Sequence, residues 1–224
     1  MVAPDALSPP ICSASVDPRF CLLYIDDALL VVGKPAGLLA VPGRGLTGAD
    51  NLVTRVQQAH PEACAVHRLD MATSGLMLLA RGPDMQRALS RSFEQRTVHK
   101  RYEAVVHGLV HNDTGCIDTP LAADWPRRPR QKVDFDAGKP SLTRWQVLDR
   151  DAAGQRTRLR LEPVTGRTHQ LRVHLMSLGH TIVGDALYGS DATPATRLLL
   201  HAYELRFTHP VNGSDCHFTS AAPF

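Results

Sequence analysis

Apolar residues run unbroken from Gly75 to Ala80 and end on Arg81, a length and continuity that predict a strand buried on both faces. Two shorter runs precede it, Cys21–Ile25 and Ala28–Gly33. The Asp26-Asp27 pair between them predicts a strand, a turn and a second strand. KPAGLLAVPGRGLTG, Lys34 to Gly48, follows and is too rich in glycine and proline to be anything but loop. Asp50 is placed to cap a helix reaching about His60, with Leu52, Val53, Val56 and Ala59 on one face. Pro83 opens a second helix in which Met85, Ala88, Leu89 and Phe93 face inward, and Arg87 and Arg91 share another side. Lys100–Gly108, Leu142–Leu148 and Arg156–Glu162 read as strands. In the last, Arg156, Arg158 and Arg160 alternate with Thr157, Leu159 and Leu161, giving one basic and one mostly apolar face. Thr168 is placed to cap a helix that stops at Gly179, and strands are expected at Leu198–Thr208 and Cys216–Thr219. Residues 1–19 carry four prolines and predict an extended, weakly ordered lead-in, which leaves 20–224 as one domain. Strands and helices mix without strict alternation, so the class is α+β with a mixed sheet, not a doubly wound one.

With 224 residues, 43% of them hydrophobic and 21% charged, the chain can build a core without disulfide or metal staples. The formal charge of +3 is small, but its distribution is uneven. Residues 61–180 hold 19 Lys+Arg against 13 Asp+Glu, while both flanking segments are slightly acidic. Most of those cations are arginines, which suit bidentate contacts with phosphate. The five cysteines are dispersed with no C-x-x-C pair, so neither a disulfide framework nor a zinc knuckle is indicated. No Lys or Arg precedes Arg19 and no long apolar run is present, so a signal peptide and a membrane span are not expected and the reading is cytoplasmic.

Several candidate motifs carry little weight. GRGLTG, Gly43 to Gly48, matches G-x-G-x-x-G, with Glu62 at a tempting distance beyond. A dinucleotide site needs those glycines directly after a strand and opening a helix, and Pro42 and the later helix start deny both. His107 and His111 are strand-end histidines rather than metal ligands, and Ser74 lacks the G-x-S-x-G setting of a hydrolase nucleophile. DWPRRPRQK, Asp124 to Lys132, says more: Trp125, Arg127, Arg128, Arg130 and Lys132 on a proline-stiffened loop can grip phosphates and stack on a base. Gly166-Arg167 leads into the third helix, where an arginine can reach a carboxylate or a phosphate.

HRLDMATSGLMLLAR, His67 to Arg81, resembles the catalytic motif of the RluA family of RNA pseudouridine synthases. Four further segments are similar to motifs of that family, in the same order: VVGKPAGLLAVPGR, KRYEAVVHG, PVTGRTHQLRVHLMSLGHTIVGDALYG and LLLHAYELRFTHP. The similarity runs from about Tyr24 to Phe224. It implies the pseudouridine synthase fold, an α+β catalytic domain with a mixed, mainly antiparallel central sheet flanked by helices and loops. It also implies an isomerase that needs no cofactor and no metal and acts as a monomer on structured RNA. On this resemblance the chain is expected to begin at the catalytic domain. That brevity, with DWPRRPRQK, is most like the family's dual-specificity member, whose targets are a 23S rRNA hairpin and the anticodon stem-loop of certain tRNAs.

Such a reaction breaks the C1′–N1 bond of uridine, rotates the uracil and joins C1′ to C5. It requires an ionised carboxylate at the sugar, whether to attack C1′ or to remove the proton on C2′. The resemblance gives that role to Asp70. A free Asp ionises near pH 4, but in a dry pocket it needs a cation beside it, and the resemblance offers Arg167. Tyr102 is the expected floor of the uracil pocket and proton relay at C5, and Leu200 an apolar wall. Arg68, two residues before Asp70, is expected to fill the gap left when the target base leaves its stack. Thr73, Ser74 and Gly75 turn the chain from the catalytic loop into a strand that supports it from behind.

Overall fold

The computed structural model describes residues 16–17, 20–43, 49–189 and 195–224. Except for Val16–Asp17, the expected N-terminal lead-in lies outside the described residues, as does all of GRGLTG beyond Gly43.

The first strands are β1 (Val16–Asp17), β2 (Phe20–Ile25) and β3 (Leu29–Lys34), followed by helix α1 (Leu52–Gln57) and the short strand β4 (Ala63–Ala65). Next come β5 (Ser74–Arg81), α2 (Gly82–Glu94), β6 (His99–His107) and β7 (Thr114–Asp118). The strands β8 (Leu121–Ala123) and β9 (Gln131–Val133) form a separate hairpin, with a single 3₁₀ turn at Trp125–Arg127 in its tip. The chain continues through β10 (Leu142–Asp151), β11 (Arg156–Pro163), α3 (Gln170–Ser177), β12 (Leu200–Thr208) and β13 (Asp215–Thr219).

All but β8 and β9 join one sheet, in the order β1-β2-β3-β5-β12-β6-β11-β10-β7, with β4 on β5 and β13 on β12. Every pairing is antiparallel except β5 with β12, so the sheet is two antiparallel halves joined at one parallel seam. The seam is short: only Ser74 with His201 and Gly75 with Ala202. Further along the same edge of β5, β4 pairs with Leu79–Arg81. The N–H of Leu78 falls between these partners, and the Nε2 of His67 accepts it at 2.9 Å, so no buried backbone donor is left unmet there.

Local chemistry explains most elements. Ser74 to Ala80 of β5 are all buried, as a continuous apolar run requires when both faces are covered. β11 alternates buried and accessible positions, its arginines outward and Leu159 and Leu161 inward. Pro83 sits in the first turn of α2, where its missing N–H costs nothing. Two caps differ from expectation. Asn51, not Asp50, caps α1 by accepting the Thr54 N–H at 2.9 Å, while Asp50 pairs with Arg55. His169, not Thr168, precedes α3, in a left-handed conformation. Gln170 to Leu175 of α3 are all buried, so their polar side chains must find partners inside the protein: Gln170 meets Thr165 and Thr143, and His174 meets Thr143 and the Thr119 carbonyl. Glu62, the acid beyond GRGLTG, is ion-paired with Arg81 at 2.6 Å.

Candidate active site

Residues 66–73 form the loop between β4 and the seam, and nearly every one is tied down. His67 stacks on Phe93 of α2 with ring centroids 4.5 Å apart and holds the Leu78 N–H. Leu69 is buried in the core beside α1. The carbonyl of Asp70 accepts the Thr73 N–H, closing a tight turn. The carbonyl of Met71 accepts two bonds, from the Gly37 N–H at 2.9 Å and from the ammonium of Lys34 at 3.0 Å. Lys34 is fully buried and spends its other donors on the carbonyls of Pro35 and Leu38. Burial pulls its pKa down to about 8 against the opposing pull of the Asp70 charge. After the turn, Gly75 lies at φ +118°, and a Cβ there would overlap the Ala202 backbone across the seam. The strand directly behind the loop is therefore locked to the other half of the sheet.

This loop puts the Asp70 carboxylate in a cleft of about 770 Å³ between the two halves of the sheet and the start of α3. Its side chain is 20% exposed. The guanidinium of Arg172 stands 3.6 Å from Oδ2, and His169 Nε2 is 4.0 Å from Oδ1. Arg172 is held in turn by Asp185, Nε to Oδ2 at 2.8 Å and Nη2 to Oδ1 at 2.7 Å. This bidentate pair uses one edge of the guanidinium and leaves Nη1 to face Asp70. Asp185 also accepts the backbone N–H groups of Leu187 and Tyr188, so its position is set by the chain itself.

Tyr102, on β6, lines the same cleft and packs against the cores of both halves of the sheet. Burial, and then the negative charge of Asp70, push its phenol well above the ordinary tyrosine range. The group is thus a protonated donor at neutral pH, not a phenolate base. Leu200, at the start of β12, is buried and forms part of the wall. Arg68 is exposed at the cleft. Lys100 also lines it, its ammonium over the Phe93 ring and its pKa lowered by burial.

Arg167 is the expectation that needs correcting. It lines the cleft but is exposed; its Nε donates to the Pro140 carbonyl at 3.3 Å and its backbone N–H to Gln170. The cation beside Asp70 is Arg172, one turn further on, because the chain passes through the left-handed His169 before α3 begins and the first helical turn faces the carboxylate. The DWPRRPRQK segment is the tip of the β8–β9 hairpin and does not line the cleft. Trp125 is 67% exposed there, with the Arg128 guanidinium 3.2 Å above its ring. Arg127 pairs with Asp124 and Lys132 with Asp134, while Arg130 lies over the ring of Tyr188. Among the described residues, no group of three or more His, Cys, Asp or Glu is placed to hold a metal ion, and no helix is long and apolar enough to cross a membrane.

Residues 28–177 match the model of a family described as RNA pseudouridylate synthase. The chain belongs to that family. Within it, the Dual-specificity RNA pseudouridine synthase RluA of Yersinia pestis is 48% identical over 205 residues, spanning 91% of this chain and 99% of that protein. The protein of the same name from Escherichia coli K12 is 46% identical, covering 93% of this chain and 95% of its own. The fold agrees with the solved structure of Human RNA Pseudouridylate Synthase Domain Containing 1, at a TM-score of 0.77, 29% identity and coverage of 92% and 84% of the two chains. This synthase is therefore an isomerase of uridine in RNA, on the α+β mixed-sheet fold that its sequence implied.

Sequence reasoning missed Arg172, His169, Asp185, Tyr188 and Lys34 as parts of the synthase's cleft or its supports. The signal for the first pair was available: His169 and Arg172 are three apart at the start of a helix, which puts them on one face. Nothing local to Asp185 marks it as the anchor of an arginine thirteen residues earlier.

Proposed function

We propose that this synthase acts on a structured ribosomal RNA hairpin and on a tRNA anticodon stem-loop, as a cytoplasmic monomer without metal or cofactor, and that Asp70 is its catalytic group. The observation that carries this reading is the Asp70 carboxylate itself: partly exposed in a cleft large enough for a nucleoside, and faced by a cation that Asp185 holds in place. The target uridine leaves its stack and enters the cleft, and Arg68 takes the space vacated in the RNA. Uracil rests on Tyr102 and against Leu200. Asp70 meets the sugar, either attacking C1′ or taking the C2′ proton, and the Arg172 guanidinium faces its Oδ2 as a fixed counter-charge in a site that the RNA closes off from water. The C1′–N1 bond breaks, the base turns, C5 bonds to C1′, the Asp70 carboxylate, free again at the sugar, takes the C5 proton, and a proton is returned to N1. Atoms are conserved throughout. Tyr102 holds the base and, as a neutral phenol beside it, is placed to donate to it.

The choice of targets rests on the names of relatives that are 46–48% identical across nearly the whole chain. Wild-type protein incubated with transcribed hairpins of both kinds tests it: pseudouridine at one loop position in each RNA is expected. Conversion of only one kind removes the dual specificity and leaves the catalytic reading in place. Tyr102→Phe should retain RNA binding and slow conversion; full-rate conversion by that variant would reduce Tyr102 to packing.

A further inference from the structure

We propose that His169 and Tyr188 are positioning residues that fasten the β8–β9 arm to the carboxylate of Asp70, with His169 held as the tautomer that carries its proton on Nε2. This rests on the reading of Asp70 as the catalytic group. The connection is continuous. The backbone N–H of Gln131, the first residue of β9, donates to the hydroxyl of Tyr188 at 2.7 Å. The same hydroxyl lies 2.8 Å from Nδ1 of His169, and Nε2 of that ring faces Oδ1 of Asp70 at 4.0 Å. The Tyr188 ring is buried and meets the imidazole edge-on, with centroids 5.6 Å apart.

Donor and acceptor bookkeeping fixes the direction. The Tyr188 oxygen already accepts from Gln131, and the hydroxyl has one proton to give. Among the described residues its other polar neighbour is His169 Nδ1, so the proton points there and Nδ1 is the acceptor. Burial holds the imidazole below its ordinary range, so at neutral pH the ring carries a single proton, on Nε2. The two oxygens of Asp70 are then faced by different donors, Arg172 at Oδ2 and the His169 N–H at Oδ1. A spacing of 4.0 Å is too long for a direct bond, and a movement of about 1 Å closes it. His169 holds this place at φ +54°, a conformation that a branched or bulky residue resists and that asparagine tolerates. The base of the arm packs on the same elements, with Leu121 against Val173 and Tyr188. RNA gripped by the arm is thereby held in register with the carboxylate.

Two kinds of measurement test this. In protein labelled with ¹⁵N-histidine, the His169 ring, assigned by its absence from His169→Asn, should show a protonated Nε2 and a bare Nδ1. Tyr188→Phe should abolish that preference. A wild-type ring protonated on Nδ1 overturns the proposal whatever Asp70 does, and a failure of Asp70 to act leaves the ring spectrum unchanged, so the two readings fail separately. In steady-state assays on hairpin RNA, His169→Asn keeps the backbone and the Tyr188 contact but loses the donor at Asp70. We expect kcat to fall about tenfold with KM within about twofold. His169→Gln, whose amide reaches the Nε2 position, should restore most of kcat. Tyr188→Phe should lower kcat similarly and also raise KM at least threefold, because Gln131 loses its acceptor. Wild-type kcat in His169→Asn, or no rescue by His169→Gln, would contradict the proposal.

Discussion

The Asp70 loop and the tip of the β8–β9 arm are each only some seven or eight residues long, and they are built on opposite plans. In the loop, side chains and carbonyls are committed to neighbours: His67 to Leu78, Leu69 to the core, Met71 to Lys34 and Gly37. At the arm tip, Trp125 stands 67% exposed and the cations are held by surface ion pairs and by stacking on Trp125 or Tyr188. Such surface pairs are worth little in water and exchange readily for phosphate. Under the proposed reading, the group that meets one atom of the sugar is fixed in advance, and the surface that takes the RNA backbone is left adjustable. Changes in the loop and its supports should therefore act on stability and turnover, and changes in the arm on binding.

The largest effect is expected at Arg172. Arg172→Met leaves Asp185 charged, buried and unpaired, a loss of about 3–5 kcal/mol in stability, and removes the cation beside Asp70. Arg167→Met, only five residues away but exposed, should leave thermal stability unchanged. Equal stability losses in thermal unfolding would erase the distinction between the two arginines. Next comes Gly75→Ala, which forces a Cβ into the Ala202 backbone at a positive φ. We expect a loss of about 2–4 kcal/mol by denaturant unfolding, in the range of overpacking and backbone strain combined.

His67 provides a subtler test of the loop. Burial first, and the charge of Lys100 second, push its pKa down to about 3. The neutral ring is the form that accepts the Leu78 N–H, and the unfolded chain takes up a proton near pH 6.5. The stabilisation is therefore complete above pH 6.5 and is lost as pH falls from there towards 3. His67→Gln, which keeps an acceptor without the titration, should flatten the fall in melting temperature between pH 6.5 and 4. An unchanged slope would show that the folded ring takes up its proton as readily as the unfolded chain does. For the arm, Trp125→Ala should weaken RNA binding by about 5- to 100-fold, the range of one lost stacking contact, with the melting temperature unmoved. Smallest of all, neutralising Arg128 should reduce the salt dependence of binding by about one phosphate contact.

The sequence is legible where a pattern is local and strong. The unbroken run of β5, the alternation of β11 and the Pro83 start of α2 depend on periodicity or on a single residue's geometry. β4, β8 and β9 are three residues each, and β7 five, in stretches dense with Asp, Arg and Pro, so only the pairing partner makes them strands. In the site, Asp70, Tyr102, Leu200 and Arg68 all reach one cleft, as the motifs implied. Arg172 escaped because an arginine in a helix reads as surface until Asp185, thirteen residues away, is seen to bury it. Lys34 escaped because a lysine beside a proline-glycine loop reads as solvent-exposed, and its three carbonyl partners are gathered by the turn after β3 and by Met71 from another segment.

The most direct test of the claim that Asp70 carries the chemistry is a single-turnover measurement with Asp70→Asn on folded hairpin RNA. The substitution keeps the size of the side chain and removes its charge. Pseudouridine formation should slow by at least about 10²–10⁴-fold, the usual span for a lost acid–base group, while hairpin affinity stays within about threefold of wild type. A rate near that of the wild-type synthase would contradict the claim.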